Sequence, residues 1–313
     1  MATLICFGFG YCAEHFIAEF AGKFERIVGT VRRAERAAIL NAYQAGAVEM
    51  RVFDGVNAAP ALNAGLAQAD YALVSIPPDE SGEPVLAAFG DTLAAGWRLR
   101  SVVYLSTVGV YGDNNGGWVA EQTPVAPASE RSRRRLAAEQ AWQQFGAREA
   151  VPIAVLRLAG IYGPGQNALV ALARGKARRI IKPGQVFNRI HVADIAQTID
   201  AAFARRANGV FNIADDEPTP PADPIVFAAK LLGREPPPEI AFDEAAPSMS
   251  PMALSFWQEC RRVRNDKLKR ELGVTLRYPS YREGLRALRD DLNLSAPAKA
   301  GEGDHPKGGG GGI

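Results

Sequence analysis

A short apolar run, Thr3-Leu4-Ile5-Cys6-Phe7, passes straight into Gly8-Phe9-Gly10-Tyr11-Cys12-Ala13, and a helical pattern over 14–24 follows. Strand, glycine turn and helix in that order are the context of the dinucleotide-binding fingerprint. Gly8 suits the tight turn, and Gly10 lets the backbone come close to a pyrophosphate where a Cβ would collide. Ala13 is small enough for the helix to pack closely on the strand. The helix start then offers free N–H groups and the positive end of its dipole to an anion. The pattern predicts a nucleotide site formed by Gly8, Phe9, Gly10 and Tyr11; a merely structural strand-to-helix turn is the alternative.

The same alternation continues along the chain. Apolar, β-rich runs predict strands over 27–31, 48–53, 71–76, 102–106 and 153–158, and helical patterns cover 34–45, 85–95 and 133–145. Near-continuous apolar strands between helices predict an α/β fold, with a parallel sheet covered on both faces. Right-handed crossovers make it a doubly wound (Rossmann) sheet. The expected organisation is a dinucleotide-binding domain over 1–165. Residues 185–215 return to it through a helix at 192–204 and a strand at 210–213. Proline-rich stretches, 166–184 and 216–292, read as a smaller C-terminal substrate lobe, and 293–313, ending in a glycine run, as a disordered tail.

Composition removes several function classes. A net charge of +2 gives no strong field for nucleic acid or an anionic membrane. Three cysteines, an odd number without a pairing pattern, fit a reducing compartment, and Cys6 and Cys12 have no second pair with which to hold a metal. No apolar run approaches the roughly 20 residues of a membrane span, and no basic stretch precedes an apolar one at the start. A cytoplasmic protein acting on a small molecule is expected, with a homodimer left open.

The end of the second strand bears on the cofactor. An acid about 20 residues past the glycines would bind the ribose hydroxyls of NAD; this chain has Thr30-Val31-Arg32-Arg33. A guanidinium suits a 2′-phosphate through charge-assisted, bidentate bonds. Arg32 and Arg33 therefore favour NADP over NAD, the alternative being two solvated charges. Asp54, past the third strand, has two readings: acceptor from an adenine amino group, or cap of the next turn. Ile76 and Pro77, past the fourth strand, are placed where a loop runs over the cofactor.

Four further segments carry a resemblance. Tyr104-Leu105-Ser106-Thr107-Val108-Gly109-Val110-Tyr111-Gly112 resembles the Ser/Thr segment of the extended short-chain dehydrogenase/reductases, the NAD-dependent epimerase/dehydratase group. Residues 156–165, Leu-Arg-Leu-Ala-Gly-Ile-Tyr-Gly-Pro-Gly, resemble that group's sixth strand and following loop. Asn188-Arg189-Ile190-His191-Val192-Ala193-Asp194 resembles its His-Val-x-Asp segment, and Arg264-Asn265-Asp266-Lys267-Leu268 its C-terminal segment. The resemblance spans roughly 3–290 and implies a nicotinamide cofactor, a Ser/Thr orienting the substrate oxygen (here Thr107) and a substrate anion at Arg189.

The family's chemistry also needs a Tyr with a Lys four residues on, both on one helix face. The lysine charge lowers the phenol pKa so that a proton moves at neutral pH. None of the eight tyrosines here has Lys at the fourth following position. Counting back from Glu139, itself read as part of a solvated helix face, Arg135 takes the lysine's place and Arg131 the tyrosine's. A guanidinium is a poor proton carrier. The chain therefore resembles the atypical members of the group, as its Gly-x-Gly-x-x-Ala spacing also suggests. Tyr111, four residues past Thr107, is the candidate phenol, its rival being a packed aromatic at a strand end.

Among the remaining residues, His191 reads as structural, bonding the loop it packs on, and Asp194 as an acceptor of backbone N–H bonds. Arg189 is divided between the cleft and an ion pair with Asp194. The cluster Arg131, Arg133, Arg134 and Arg135 is divided between an anion site, with Arg135 at the cofactor, and a solvated face. Two functions stay open: an NADP-dependent oxidoreductase, epimerase or dehydratase acting on a small carbonyl or nucleotide sugar, and a non-catalytic NADP-binding regulator or redox sensor.

Overall fold

The computed structural model describes residues 2–43, 47–58, 62, 65–95 and 98–295. Seven parallel strands form the central sheet: β1 (Thr3–Phe7), β2 (Arg26–Val31), β3 (Glu49–Val52), β4 (Tyr71–Val74), β5 (Ser101–Thr107), β7 (Ile153–Leu158) and β11 (Gly209–Ile213). Their order is β11-β7-β5-β4-β1-β2-β3. Strand order reverses between β1 and β4, and the cleft outside the carboxyl ends of the strands at such a switch point is where ligands bind in this architecture.

Alternation within β1 shows why the inner sheet strands are so apolar. Leu4 and Cys6 join one core and Ile5 and Phe7 the other, all fully buried. One core is closed by helices α1 (Tyr11–Phe20) and α6 (Val192–Arg205), through Ala13, Phe16, Ile195, Ile199 and Phe203. The opposite core is closed by α3 (Pro84–Ala95) and α4 (Glu130–Glu149), through Phe89, Leu93, Trp142 and Phe145. With both faces covered, the inner strands have no side to spare for water, whereas the edge strand β3 keeps Glu49 and Arg51 partly exposed and paired.

α1 and α4 start earlier than their periodicity predicts. α1 begins at Tyr11 because Gly10 caps it, and a short 3-10 turn over Ala21–Lys23 replaces the rest of the expected helix. α4 begins at Glu130, where Ser129 accepts a bond from the Ser132 N–H. Its far end reaches Glu149, and Ala150 turns left-handed to stop it. Helix α2 is Ala34–Tyr43.

Outside the sheet lie short elements in parallel pairs: β8 (Gly160–Tyr162) with β10 (Arg189–His191), β9 (Arg179–Ile181) with β12 (Glu239–Ala241), and β6 (Trp118–Val119) with β13 (Arg262–Val263). Helices α5 (Ala168–Ala173), α7 (Asp223–Leu231) and α11 (Tyr281–Ser295) share a small core around Tyr162, Leu169, Ala228 and Leu285. Another gathers Ile180, Ala245 and Trp257, the last at the end of α9 (Pro251–Trp257), which follows the short helix α8 (Phe242–Ala245). Helix α10 (Asp266–Leu272) packs beside β11 and α6. The expected tail starts too early at 293, since α11 runs to Ser295; 296–313 lie outside the described residues. Among the described residues no helix is long and apolar enough to cross a membrane, and Cys6, Cys12 and Cys260 are free thiols.

Candidate nucleotide and substrate cleft

At the carboxyl end of β1 the turn is held from both neighbouring strands. The Gly8 N–H donates to Thr30 Oγ1 of β2 at 2.9 Å, and Ser75 Oγ, just past β4, donates to the Gly8 carbonyl at 2.6 Å. Gly8 sits at φ +88°, and a Cβ there would lie 2.7 Å from Ser75 Oγ. Gly10 differs: its φ of −119° suits any residue, and a Cβ would meet nothing within 4 Å. Its side-chain position is open space at the cleft wall, the cradle a close-approaching pyrophosphate needs. No side chain caps α1, so the first-turn N–H groups of Tyr11, Cys12 and Ala13 are without a described partner, and Tyr11 and Cys12 line the same opening. The residues present fit a dinucleotide.

Phe9 has to be corrected. Its ring is buried over Gly29, and its N–H donates to the Thr30 carbonyl at 2.7 Å. It builds the turn and has neither ring nor donor left for a ligand. Tyr11 lines the cleft, and its hydroxyl donates to the Pro164 carbonyl at 3.0 Å, tying α1 to the loop after β8. Arg32 and Arg33 are exposed at the end of β2, and neither guanidinium bonds another described residue. Asp54 is corrected toward its second reading: Oδ1 accepts from the Val56 and Asn57 N–H groups and Oδ2 from Asn57 Nδ2. These bonds hold its pKa down at about 2 and use the carboxylate to close its own loop. Ile76 packs beside Gly8, and Pro77 is exposed just beyond it.

The cleft has a volume of about 1110 Å³ and runs from Gly10 past Thr107 to the face of α9. Thr107 caps a 3-10 turn over Val108–Tyr111, its Oγ1 accepting from the Gly109 N–H at 3.1 Å. The hydroxyl proton is left to point elsewhere. Beside it stands Ser132, a cleft residue that sequence reasoning passed over; its Oγ accepts from Ser129 Oγ at 2.9 Å. Arg135 also lines the cleft, with Nη1 donating to Tyr104 Oη and the Leu105 carbonyl, both at 3.0 Å. Arg131 lines it from the first turn of α4.

Tyr111 does not reach this space. It is fully buried, its hydroxyl donates to Asn212 Oδ1 at 2.8 Å, and burial raises its pKa. The packed-aromatic reading holds, so Tyr111 is removed as proton donor. The two phenols that do line the cleft are also occupied. Burial pushes Tyr11 up to about 12, and Tyr162, donating to the Ser280 carbonyl at 3.3 Å, is pushed further still. Neither resembles a phenol tuned to move a proton at neutral pH.

Beneath Thr107 lies a buried polar network. Glu139, expected on a solvated face, is 1% exposed. It accepts from Ser106 Oγ and from Arg157, whose Nη2 lies 2.7 Å from Oε2. The Arg157 guanidinium in turn lies 4.8 Å from the Tyr111 ring centroid. Lone Arg157 inside an apolar strand was the available signal: a cation buried there needs a counter-charge.

Arg189 faces the cleft without an ion pair to Asp194. Its Nη1 donates to Thr219 Oγ1 at 2.7 Å and to the Phe187 carbonyl at 3.2 Å. Asp194 instead accepts from the Arg277 and Tyr278 N–H groups at 2.7 and 3.2 Å. His191 caps α6, its Nδ1 accepting from the Ala193 N–H at 3.1 Å, and burial pushes it down to about 4, so it is neutral. Arg261 was also missed; it is buried at the cleft, paired with Glu259 and donating to the Gly112 carbonyl.

Comparison with known proteins bears on this architecture. The model of the NAD dependent epimerase/dehydratase family matches residues 85–214. A functionally unknown conserved protein from Silicibacter pomeroyi DSS is 46% identical, with a TM-score of 0.82 over 93% of this chain and 99% of that one. The dTDP-glucose 4,6-dehydratase of Bacillus anthracis, solved in complex with NAD, has a TM-score of 0.74 at 16% identity, over 94% of this chain and 97% of that one. At that identity the likeness shows the shared fold. A curated 3-diazoavenalumate denitrifying reductase from Streptomyces sp is 29% identical over 144 residues, 42% of this chain. The match spans 45% of the reductase, less than half its length.

Proposed function

Because this chain belongs to the NAD dependent epimerase/dehydratase family, we propose that it binds a nicotinamide dinucleotide, NADP in preference to NAD, and acts as an oxidoreductase, epimerase or dehydratase on a small carbonyl or nucleotide-sugar substrate. The observation that carries this reading is the uncapped start of α1 beside Gly10, opening into the same cleft as Thr107. A bound nicotinamide supplies or accepts the hydride. Tyr11, Cys12 and Ala13 would hold the pyrophosphate through backbone N–H groups, and Arg135 would face the nicotinamide half. Arg32 and Arg33, free of other described partners, would take the 2′-phosphate. Thr107 has its proton free to hold a substrate oxygen, and Arg189 would meet an anionic part of the substrate.

A second reading, a non-catalytic NADP-binding regulator, is favoured by one observation: the cleft's phenols are donated to carbonyls and raised in pKa. Titrating NADPH and NADH and following nucleotide fluorescence tests the cofactor. NADPH should bind more tightly, and the Arg32→Ala/Arg33→Ala variant should lose about 10-fold in NADPH affinity with NADH unchanged. Tighter NADH binding would refute the arginine argument. Oxidation of bound NADPH by any member of a carbonyl panel would exclude the regulator.

A further inference from the structure

The four arginines that open α4 fall into different environments. Arg133 and Arg134 are tied to Glu130, at 2.9 and 3.2 Å, and Arg135 is anchored on Tyr104 and Leu105. Arg131 is exposed, lines the cleft, and makes no ion pair or hydrogen bond with another described residue. A cation in the first turn of a helix opposes the dipole, so Arg131 does nothing for the helix that carries it. It stands next to Ser132 and lines the same cleft as Thr107.

The wall that α9 contributes is mostly apolar. Met252 and Phe256 on α9 are 61% and 54% exposed, and both line this cleft with Trp257 behind them. Large apolar side chains left in water at a cavity mouth mark a ligand surface. Sugar hydroxyls laid against them would lose their water partners without replacement.

From these two walls we propose that the substrate pocket takes a small organic acid, a carboxylate on an apolar, ring-sized body. Arg131 grips the carboxylate, and Met252 and Phe256 cover the ring. This narrows the substrate class of the reading above and rests on the nicotinamide lying beside Thr107. A guanidinium fits a carboxylate bidentately. The other guanidiniums of the cleft, Arg135, Arg189 and Arg261, are already bonded to Tyr104, Thr219 and Glu259, so Arg131 alone lacks a described partner, and one such cation beside an apolar wall suits a single-charged amphiphile better than a nucleoside diphosphate.

The test is calorimetric titration of the full chain, saturated with NADPH, with cinnamate, cinnamamide and UDP-glucose as probes. Cinnamate should bind at least about 10-fold more tightly than cinnamamide, the loss expected for a charge-assisted pair. Arg131→Gln should bring cinnamate down to the cinnamamide level, Arg131→Lys should restore part of the difference, and Phe256→Ser should weaken both probes alike. Equal binding of acid and amide, cinnamate affinity unchanged in Arg131→Gln, or UDP-glucose binding more tightly than cinnamate would each overturn the proposal. NADPH is titrated separately. Cinnamate binding that depends on Arg131 in a chain that ignores NADPH would sustain the acid site and sink the nicotinamide reading instead.

Discussion

Removing the Glu139 carboxylate tests how the floor of the cleft is held. Glu139 and Arg157 are 1% and 5% exposed, and the guanidinium meets the carboxylate at 2.7 Å through Nη2 and at 3.2 Å through Nε. Arg157 Nη1 has no hydrogen-bond partner among the described residues, and its other contact is the face of Tyr111, so no described acid stands ready to take over from Glu139. In Glu139→Ala the guanidinium stays buried and uncompensated, which costs about 3–5 kcal/mol. That is a large fraction of the roughly 5–15 kcal/mol that holds a folded protein together. At about 2–4 °C per kcal/mol for a chain of this order of size, Tm should fall by roughly 6–20 °C. The Glu139→Leu/Arg157→Met variant removes both charges and should recover to within about 2 kcal/mol of the parent, because the pair's attraction mainly offsets its own desolvation. Urea titrations of the parent, Glu139→Leu, Arg157→Met and the double variant give the coupling directly. A Glu139→Ala cost below about 1 kcal/mol, or a double variant as unstable as the two singles added, would refute the claim that the two charges depend on each other.

Two more predictions separate roles that the structure assigns. Gly8→Ala places a Cβ at a positive φ and 2.7 Å from Ser75 Oγ, so it should lose about 2 kcal/mol or more of stability. Gly10→Ala meets open space and should stay within about 1 kcal/mol of the parent while NADPH affinity drops at least about 10-fold; unchanged affinity would remove the pyrophosphate from Gly10. For His191, burial holds the folded pKa at about 4 against 6.5 for the free side chain, so the unfolded chain binds the extra proton between those values. Its contribution is therefore complete above about pH 6.5 and lost as pH falls toward 4, by at most about 3 kcal/mol. Buried Asp215 and Glu83, raised to about 8 and 7, act in the opposite sense over this range. The measurement is thus the stability difference between parent and His191→Gln, which should shrink from pH 7 to pH 4.5; a constant difference would contradict a neutral buried imidazole.

What the sequence made legible follows from range. The period of two in β1, with both sets of side chains apolar, needs only neighbours along the chain, and so does the strand, glycine and helix order at Gly8 and Gly10. The latches that hold that turn, Thr30 and Ser75, come from β2 and β4 and belong to strand register, which no local pattern encodes. Tyr111 had two readings at a strand end, and what decides between them is distant in the chain: its hydroxyl bonds Asn212 of β11 and its ring lies against Arg157 of β7. Arginine is the harder case, because its partners decide its meaning. Arg131 and Arg157 are the same side chain, and helix α4 serves both. One face of α4 is pressed on β5 and β7, so Glu139 meets Arg157 there and the two charges become structure. Arg131, in the first turn of α4, pairs with no acid among the described residues and stands open to whatever anion the cleft admits.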